Sequence, residues 1–363
     1  MKHSFGSAQD KKRKLIWAAV FVVLAVCSVV AVTSATRGFS FQRVWELIRR
    51  ADPVFIALAY LGMFGFIVFE GLAVRTLVRS FGQTCSVKNS VTFGAADIYF
   101  SAITPSATGG QPACAYFMIR SGIPASCTTV SLVFNLALYT VSILAIGLVS
   151  VAVFPETFLF FRPLGRVLIV IGACVLVFLA LLFLFLAKKQ SVITGAGRFL
   201  IRAAGRIRLI RDREDALARF EAWTGEYMSY ARQVGAHRSA MAKAFAFNVL
   251  QRLGQLAVTM FMYIAVNIRS GLLNASAVIR NGVRLLGAQS LISIGSTFVP
   301  VPGGIGIADM MMFDGFRSQM PEADAAALEL LSRFVSFYSC VILSFFIVIL
   351  ASILRRKKHD RSL

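Results

Sequence analysis

The chain has 363 residues, 57% hydrophobic and only 15% charged, with a formal net charge of +21. Soluble domains carry about 25% charged residues, and several apolar runs here reach the ~20 residues needed to cross ~30 Å of hydrocarbon; an ordinary soluble protein is excluded, and so is a barrel, which would show alternating segments of ~10 residues. The basic excess would suggest nucleic acid in a soluble chain, but it sits in loops beside apolar spans and reads as the positive-inside signal and attraction to anionic headgroups.

Lys11, Lys12, Arg13 and Lys14 precede an apolar run from Leu15 to about Val32. That run is longer than a signal-peptide core and predicts an uncleaved first span over 15–33. Leu24-Ala25-Val26-Cys27 only faintly resembles a lipoprotein cleavage site, because Val26 is bulky where a small residue is required. In "FSFQRVWELIRR", Phe41, Val44, Trp45 and Ile48 can share one helical face, which predicts an interfacial helix. Asp52 and Pro53 read as N-cap and first helical residue of a second span, 53–76.

The next element is unusual. Residues 90–104, "SVTFGAADIYFSAIT", predict an apolar helix of about fifteen residues, ~22 Å long at 1.5 Å per residue and too short to cross. Pro105 and Gly109-Gly110 break it, and a second short run over 112–119 ends at Arg120. Two half-length helices hinged on Pro and Gly predict a re-entrant hairpin. Full spans are predicted over 124–153 and 164–187, joined by the connector "PETFLFFRPLGR". Residues 188–240 are polar and strongly basic, with Leu200, Ile207, Ile210, Leu217, Phe220 and Trp223 at near-helical spacing, and predict amphipathic helices on the cytoplasmic face. A span over 241–267 follows. A second broken element covers 276–299 and 303–317, hinged on Pro300, Pro302, Gly303 and Gly304; the length of its first arm leaves a full crossing open. The last span is 327–353, closed by Arg355-Arg356-Lys357-Lys358.

The expected fold is an all-α polytopic membrane protein with about six full spans and two re-entrant hairpins. The basic segment after Lys188 and the basic tail should both be cytoplasmic, which puts the N-terminus there as well and the chain in the cytoplasmic (inner) membrane. The loop with Arg37, Arg43, Arg49 and Arg50 then falls outside, against the charge rule. Each hairpin is flanked by two full spans and the two enter from opposite faces, an inverted repeat of the kind seen in transporters. The units expected are an N-terminal span and interfacial helix (1–52), a first repeat (53–153), a fourth span with the basic segment (154–240), a second repeat (241–354) and a basic tail (355–363).

The motifs "TPSATGGQP…YFMIRSGIP" and "VPVPGGIGIAD", followed by Arg333 in the final span, resemble the membrane domain of lysylphosphatidylglycerol synthase/flippase proteins over about 15–355. The resemblance implies movement of aminoacylated phosphatidylglycerol between leaflets, or the handling of a glycolipid, hopanoid or polyprenyl lipid. The chain ends at residue 363, without the family's soluble synthase domain, which implies that synthesis of the lysyl-lipid belongs to a separate protein. Asp309 stands where the family often has Glu.

Candidate substrate-path residues fall into two sets. The hairpin tips offer Thr104, Ser106, Thr108, Gly109, Gly110 and Gln111, and Pro302, Gly303, Gly304 and Gly306. Unpaired backbone at a tip must face protein or water; the glycines either admit a phosphate to backbone amides or permit close helix packing. Charges in apolar runs form the second set: Glu70, Asp97, Arg252, Asp309 and Arg333, with Arg280 and Arg284 nearer an interface. Each charge costs ~2.5–3.5 kcal/mol at mid-helix on insertion scales and needs a partner or a wet cavity. Arginine can grip phosphate bidentately, and the acids can bind an amine headgroup, pair with arginine or carry a proton. Salt bridges holding helices in register are the alternative.

Six cysteines (Cys27, Cys85, Cys114, Cys127, Cys174, Cys340) without C-x-x-C spacing and three scattered histidines suggest neither a disulfide frame nor a metal site, and no P-loop occurs. No cofactor is expected. The expected partners are membrane phospholipids and a separate lipid-modifying synthase, not nucleic acid, and an oligomer is open. The sequence therefore points to a lipid translocator moving a phosphate-bearing lipid without ATP. The alternative, a membrane enzyme or accessory subunit in aminoacyl-lipid or glycolipid transfer, lacks a catalytic or nucleotide-binding motif.

Overall fold

The computed structural model describes residues 41–104, 107–188, 194–195, 198–199, 201–202, 213–271, 273–298 and 306–360. Every element named among them is helical: α1 (Phe41–Arg50), α2 (Pro53–Ser80), α3 (Val87–Ile103), α4 (Gly110–Ile119), α5 (Ala125–Val153), the short α6 (Glu156–Leu159), α7 (Pro163–Lys188), α8 (Arg213–Ala236), α9 (Arg238–Asn267), α10 (Ala275–Ser296), α11 (Ile307–Arg317), α12 (Glu322–Arg333) and α13 (Cys340–Asp360). Among the described residues, five helices are long and apolar enough to cross a membrane: Pro53–Ser80, Ala125–Val153, Pro163–Phe183, Arg238–Asn267 and Glu322–Leu354. They match five of the six expected spans; the first, 15–33, lies outside the described residues.

Local chemistry sets the helix starts. The Asp52 carboxylate accepts from the Val54 amide at 2.9 Å, with Pro53 in the first turn, and it pairs with Arg269 at 2.7 Å. Ser86 and Asn274 cap α3 and α10 by accepting from the Asn89 and Ala277 amides. The last span is interrupted by a π-helical turn over Phe334–Ser339 between α12 and α13, a distortion that local hydropathy does not encode and that often marks a functional position.

The helices approach closely where glycines meet. A Cβ on Gly62 would lie 2.6 Å from the Gly254 carbonyl oxygen, and one on Gly254 would lie 2.6 Å from that of Gly62, so α2 and α9 cross in backbone contact. Gly71 and Gly94 bring α3 onto α2 in the same way, and Gly172 seats Ile294 of α10 against α7.

Contacts between loops define two ends of the bundle. At the basic end, Arg75 donates to the Cys85 carbonyl, Gln83 reaches Tyr230 of α8, and Ser126 donates to Glu226 of α8 at 2.8 Å. The base of the α3–α4 pair is therefore at this end. At the opposite end, Asp52 meets Arg269, Arg284 of α10 meets Glu156 at 3.1 Å, and Arg162 meets Asp314 of α11 at 3.2 Å. The base of the α10–α11 pair is at that end. Helix α10 stays in its half of the bundle. Its partners Tyr263 (through Asn281), Ser150 (through Ser290), and Gly147 and Gly172 (beside Ile294) all lie in the opposite-end halves of α9, α5 and α7. Ile294, near the C-terminal end of α10, packs beside Gly147 of α5 and Gly172 of α7.

Helix α1 turns Trp45 and Ile48, two residues of the expected apolar face, away from the bundle. Leu47 is fully buried while Trp45 and Ile48 are 55% and 41% exposed. The reason is electrostatic: Arg43 and Arg50 both pair with Asp324 at the start of α12 and turn their own face inward. This also accounts for the arginines that break the charge rule, since Arg43 and Arg50 share a carboxylate and Arg49 lies over the Trp45 ring. In the basic segment, Leu200, Ile207 and Ile210 lie outside the described residues, whereas Leu217, Phe220 and Trp223 continue into the buried Thr224, Tyr227, Met228 and Ala231 on one face of α8.

Candidate functional site

Two groups of ionisable side chains sit at mid-depth, each beside one broken helical pair. The first draws on four helices. Glu70 of α2 is 3% exposed, and its carboxylate accepts from the Asn135 amide of α5 at 2.8 Å. Asn135 in turn accepts from Asn248 of α9 at 3.0 Å. Asp97, two turns before the end of α3, accepts from Gln111 in the first turn of α4 at 3.1 Å, which ties the two arms of the pair together. Arg252 of α9, 6% exposed, lies near both carboxylates without a direct ion pair to either among the described residues. It is positioned by the Tyr139 ring, 3.6 Å from the guanidinium carbon, and by a hydrogen bond to Gln255 at 2.7 Å. A Cβ added at Gly94 would lie only 3.3 Å from the Glu70 Cβ, so the missing side chain lets α3 approach α2 beside Glu70 and bring Asp97 toward it.

The second group lies at the start of α11. Gly306 takes φ +88°, a left-handed value suited to glycine, and its amide donates to Asp309 at 2.9 Å. The other Asp309 oxygen lies 3.3 Å from Arg333 Nε of α12. Glu329, one turn before Arg333, is fully buried beside both. The Arg333 guanidinium also faces the Phe337 ring in the π turn.

The tip residues divide. Thr104 accepts from the Gly109 amide at 2.9 Å and donates to the Phe100 carbonyl, closing the bend, and Ala107 carries φ +55°. Thr108 is exposed. Gly109 and Gly110 face α3: a Cβ on Gly110 would lie 2.0 Å from Ser101 Oγ and 2.6 Å from the Asp97 carboxylate. Of the two roles open for these glycines, close packing is the one the geometry fills. Ser106, Pro302, Gly303 and Gly304 lie outside the described residues. Arg280 is exposed, and Arg284 pairs with Glu156 at the bundle end, away from both groups.

Of the charges singled out in the sequence, the structure brings Glu70, Asp97 and Arg252 into one group, and Asp309 and Arg333 into another. The sequence expectation omitted Glu329 and Asp314, although both are acids in apolar segments, the signal that found Arg333. It also omitted Asn135 and Asn248, uncharged residues that no single-residue rule separates from other polar side chains in a span.

A family model described as the lysylphosphatidylglycerol synthase TM region matches residues 16–344. No curated protein matches the chain.

Proposed function

From the premise that the chain belongs to the lysylphosphatidylglycerol synthase transmembrane-region family, we propose that it is a carrier, not an enzyme, that moves a phosphate-bearing lipid between the leaflets of the cytoplasmic membrane. The lipid classes in view are aminoacyl-phosphatidylglycerol, a glycolipid and a polyprenyl lipid. The two helical pairs act as re-entrant hairpins entering from opposite faces, within two inverted units, 53–153 and 241–354. Both termini are cytoplasmic, and a separate synthase supplies the lipid.

The observation that carries this reading is the placement of an arginine and two carboxylates at mid-depth beside each hairpin: Glu70, Asp97 and Arg252 in one group, Asp309, Glu329 and Arg333 in the other. Charge at that depth is costly, and a lipid headgroup crossing the membrane meets the same barrier. Arginine offers phosphate a bidentate grip, the carboxylates answer an amine, and the acyl chains stay in lipid. Nothing in the sequence binds ATP in a P-loop, so the driving force is a gradient of lipid or ion.

Purified protein in liposomes with fluorescent lipids of each class is expected to accelerate leaflet exchange above protein-free liposomes for at least one phosphate-bearing class. No acceleration for any of them overturns the proposal. The topology has its own check. In a background without native cysteines, Thr84→Cys and Ser276→Cys, both at exposed positions near hairpin bases, are expected to react with an impermeant thiol reagent from opposite sides of the membrane. Reaction from the same side rules out opposed hairpins.

A further inference from the structure

Glu329 has no exposed surface; its carboxylate lies within reach of that of Asp309, and neither of its oxygens meets a donor among the described residues. The hydroxyl of Ser332, also fully buried, is unpartnered as well. Buried polar atoms are nearly always satisfied, and one that is not points to something bound there. The charged groups that act on Glu329 are Asp309 from α11 and Arg333 from its own helix. The other nearby charges are committed elsewhere: α1 directs Arg43 and Arg50 to Asp324, and Asp314 is matched by Arg162 and Arg317. Helix α9 carries no charged side chain between Leu253 and Asn267, and its Tyr263 hydroxyl faces Asn281 of α10. The π turn carries none between Phe334 and Ser339, where Tyr338 packs on Phe337.

Among the described residues, two carboxylates and one guanidinium leave one negative charge without a counterion, in a place where an unpaired ion is costly. One bound cation removes the deficit. A proton also answers the hydrogen-bond shortfall, because a Glu329 hydroxyl can donate to Asp309. We propose that Glu329 takes up one proton from water at one membrane face and releases it at the other during each translocation, so that lipid movement is proton-coupled; this rests on the carrier reading above.

The linkage runs through the hairpin. Asp309 holds the bend at Gly306 through one oxygen and Arg333 through the other. With the proton on Glu329, Arg333 serves Asp309 alone. With the proton gone, two carboxylates compete for one guanidinium, and the tie between the hairpin tip and α12 loosens immediately before the π turn. A ligand that favours one of two arrangements shifts the balance between them, and here the ligand is the proton.

The test uses the full chain in liposomes with a pH gradient. For one proton per lipid, the steady-state leaflet ratio of the transported lipid is expected to change about tenfold per pH unit, and in Glu329→Gln the gradient no longer moves it. A second readout does not depend on transport: infrared difference spectra of the wild type should contain a neutral-carboxyl C=O band that titrates and that is missing in Glu329→Gln. A leaflet ratio that ignores the pH gradient, or that follows a sodium or potassium gradient instead, overturns the coupling. The absence of the titrating band overturns the proton site. If the wild type moves no lipid while the band is present, the carrier reading fails and a proton site without transport remains.

Discussion

Arg252→Met is expected to abolish lipid exchange and to lower stability by about 3–5 kcal/mol, the usual cost of removing one partner from a buried charge group. The substitution keeps the bulk of the side chain and its contact with Tyr139, but it leaves Glu70 and Asp97 facing each other without a positive charge. Thermal unfolding in detergent, followed by fluorescence-detected size exclusion, measures the first effect; the leaflet assay measures the second. The double change Glu70→Gln with Arg252→Met separates the two roles. It removes one charge of each sign: glutamine still accepts from Asn135, Asp97 keeps its hydrogen bond from Gln111, and part of the stability returns because the two acids no longer repel each other. Transport stays lost, because the phosphate-binding guanidinium is gone. A double variant that folds and moves lipid at the wild-type rate shows that Arg252 is a structural counterion only. Arg252→Lys is expected to fall between, since an ammonium restores charge without the planar fork.

Gly71→Ala is expected to be the most damaging single-methyl change at the α2–α3 contact. The new Cβ would lie 2.1 Å from the Ser90 carbonyl oxygen and 2.5 Å from its carbon, both backbone atoms that no rotamer change can move. The facing residue repeats the problem, since a Cβ on Gly94 would lie 2.6 Å from the Ile67 carbonyl oxygen. Relief requires α3 to leave α2, at a cost of about 1–3 kcal/mol or more for an overpacked site. The functional consequence follows from the same displacement: Asp97 withdraws from Glu70 and Arg252, and lipid exchange falls with stability. Gly225→Ala in α8 is the control, because nothing lies within 4 Å of its added Cβ and alanine favours a helix by about 1 kcal/mol over glycine. Equal melting temperatures for Gly71→Ala and the wild type would show that the α2–α3 contact is looser than it is drawn.

Much of the scaffold was legible without coordinates, and the reasons are local. Asp52-Pro53 announces a helix start because capping and a fixed φ act within one turn, and α2 begins at Pro53. The break between α3 and α4 was visible because Pro and adjacent glycines cannot continue an apolar helix. The inward face of α1 was not legible, because it is chosen by Asp324, a residue more than two hundred positions away. The role of Gly110 could not be decided for a similar reason: whether a glycine meets a phosphate or the side chain of Asp97 depends on what α3 places opposite it.

Hydropathy, helix length and the position of Pro and Gly are properties of a few consecutive residues, so the amino-acid order alone determined that this is a helical membrane protein with two interrupted segments and a short roster of charges at membrane depth. Which charges meet was decided only in three dimensions. Arg252 lies on α9 yet faces acids on α2 and α3, and Asn248 reaches Asn135 across 113 positions of sequence. Such pairings are set by where helices cross, and a crossing is a relation between distant surfaces that no local pattern records. Glu329 shows the same division: its presence in an apolar span was written in the sequence, but its lack of a donor among the described residues emerged only when α11 and α12 closed around it.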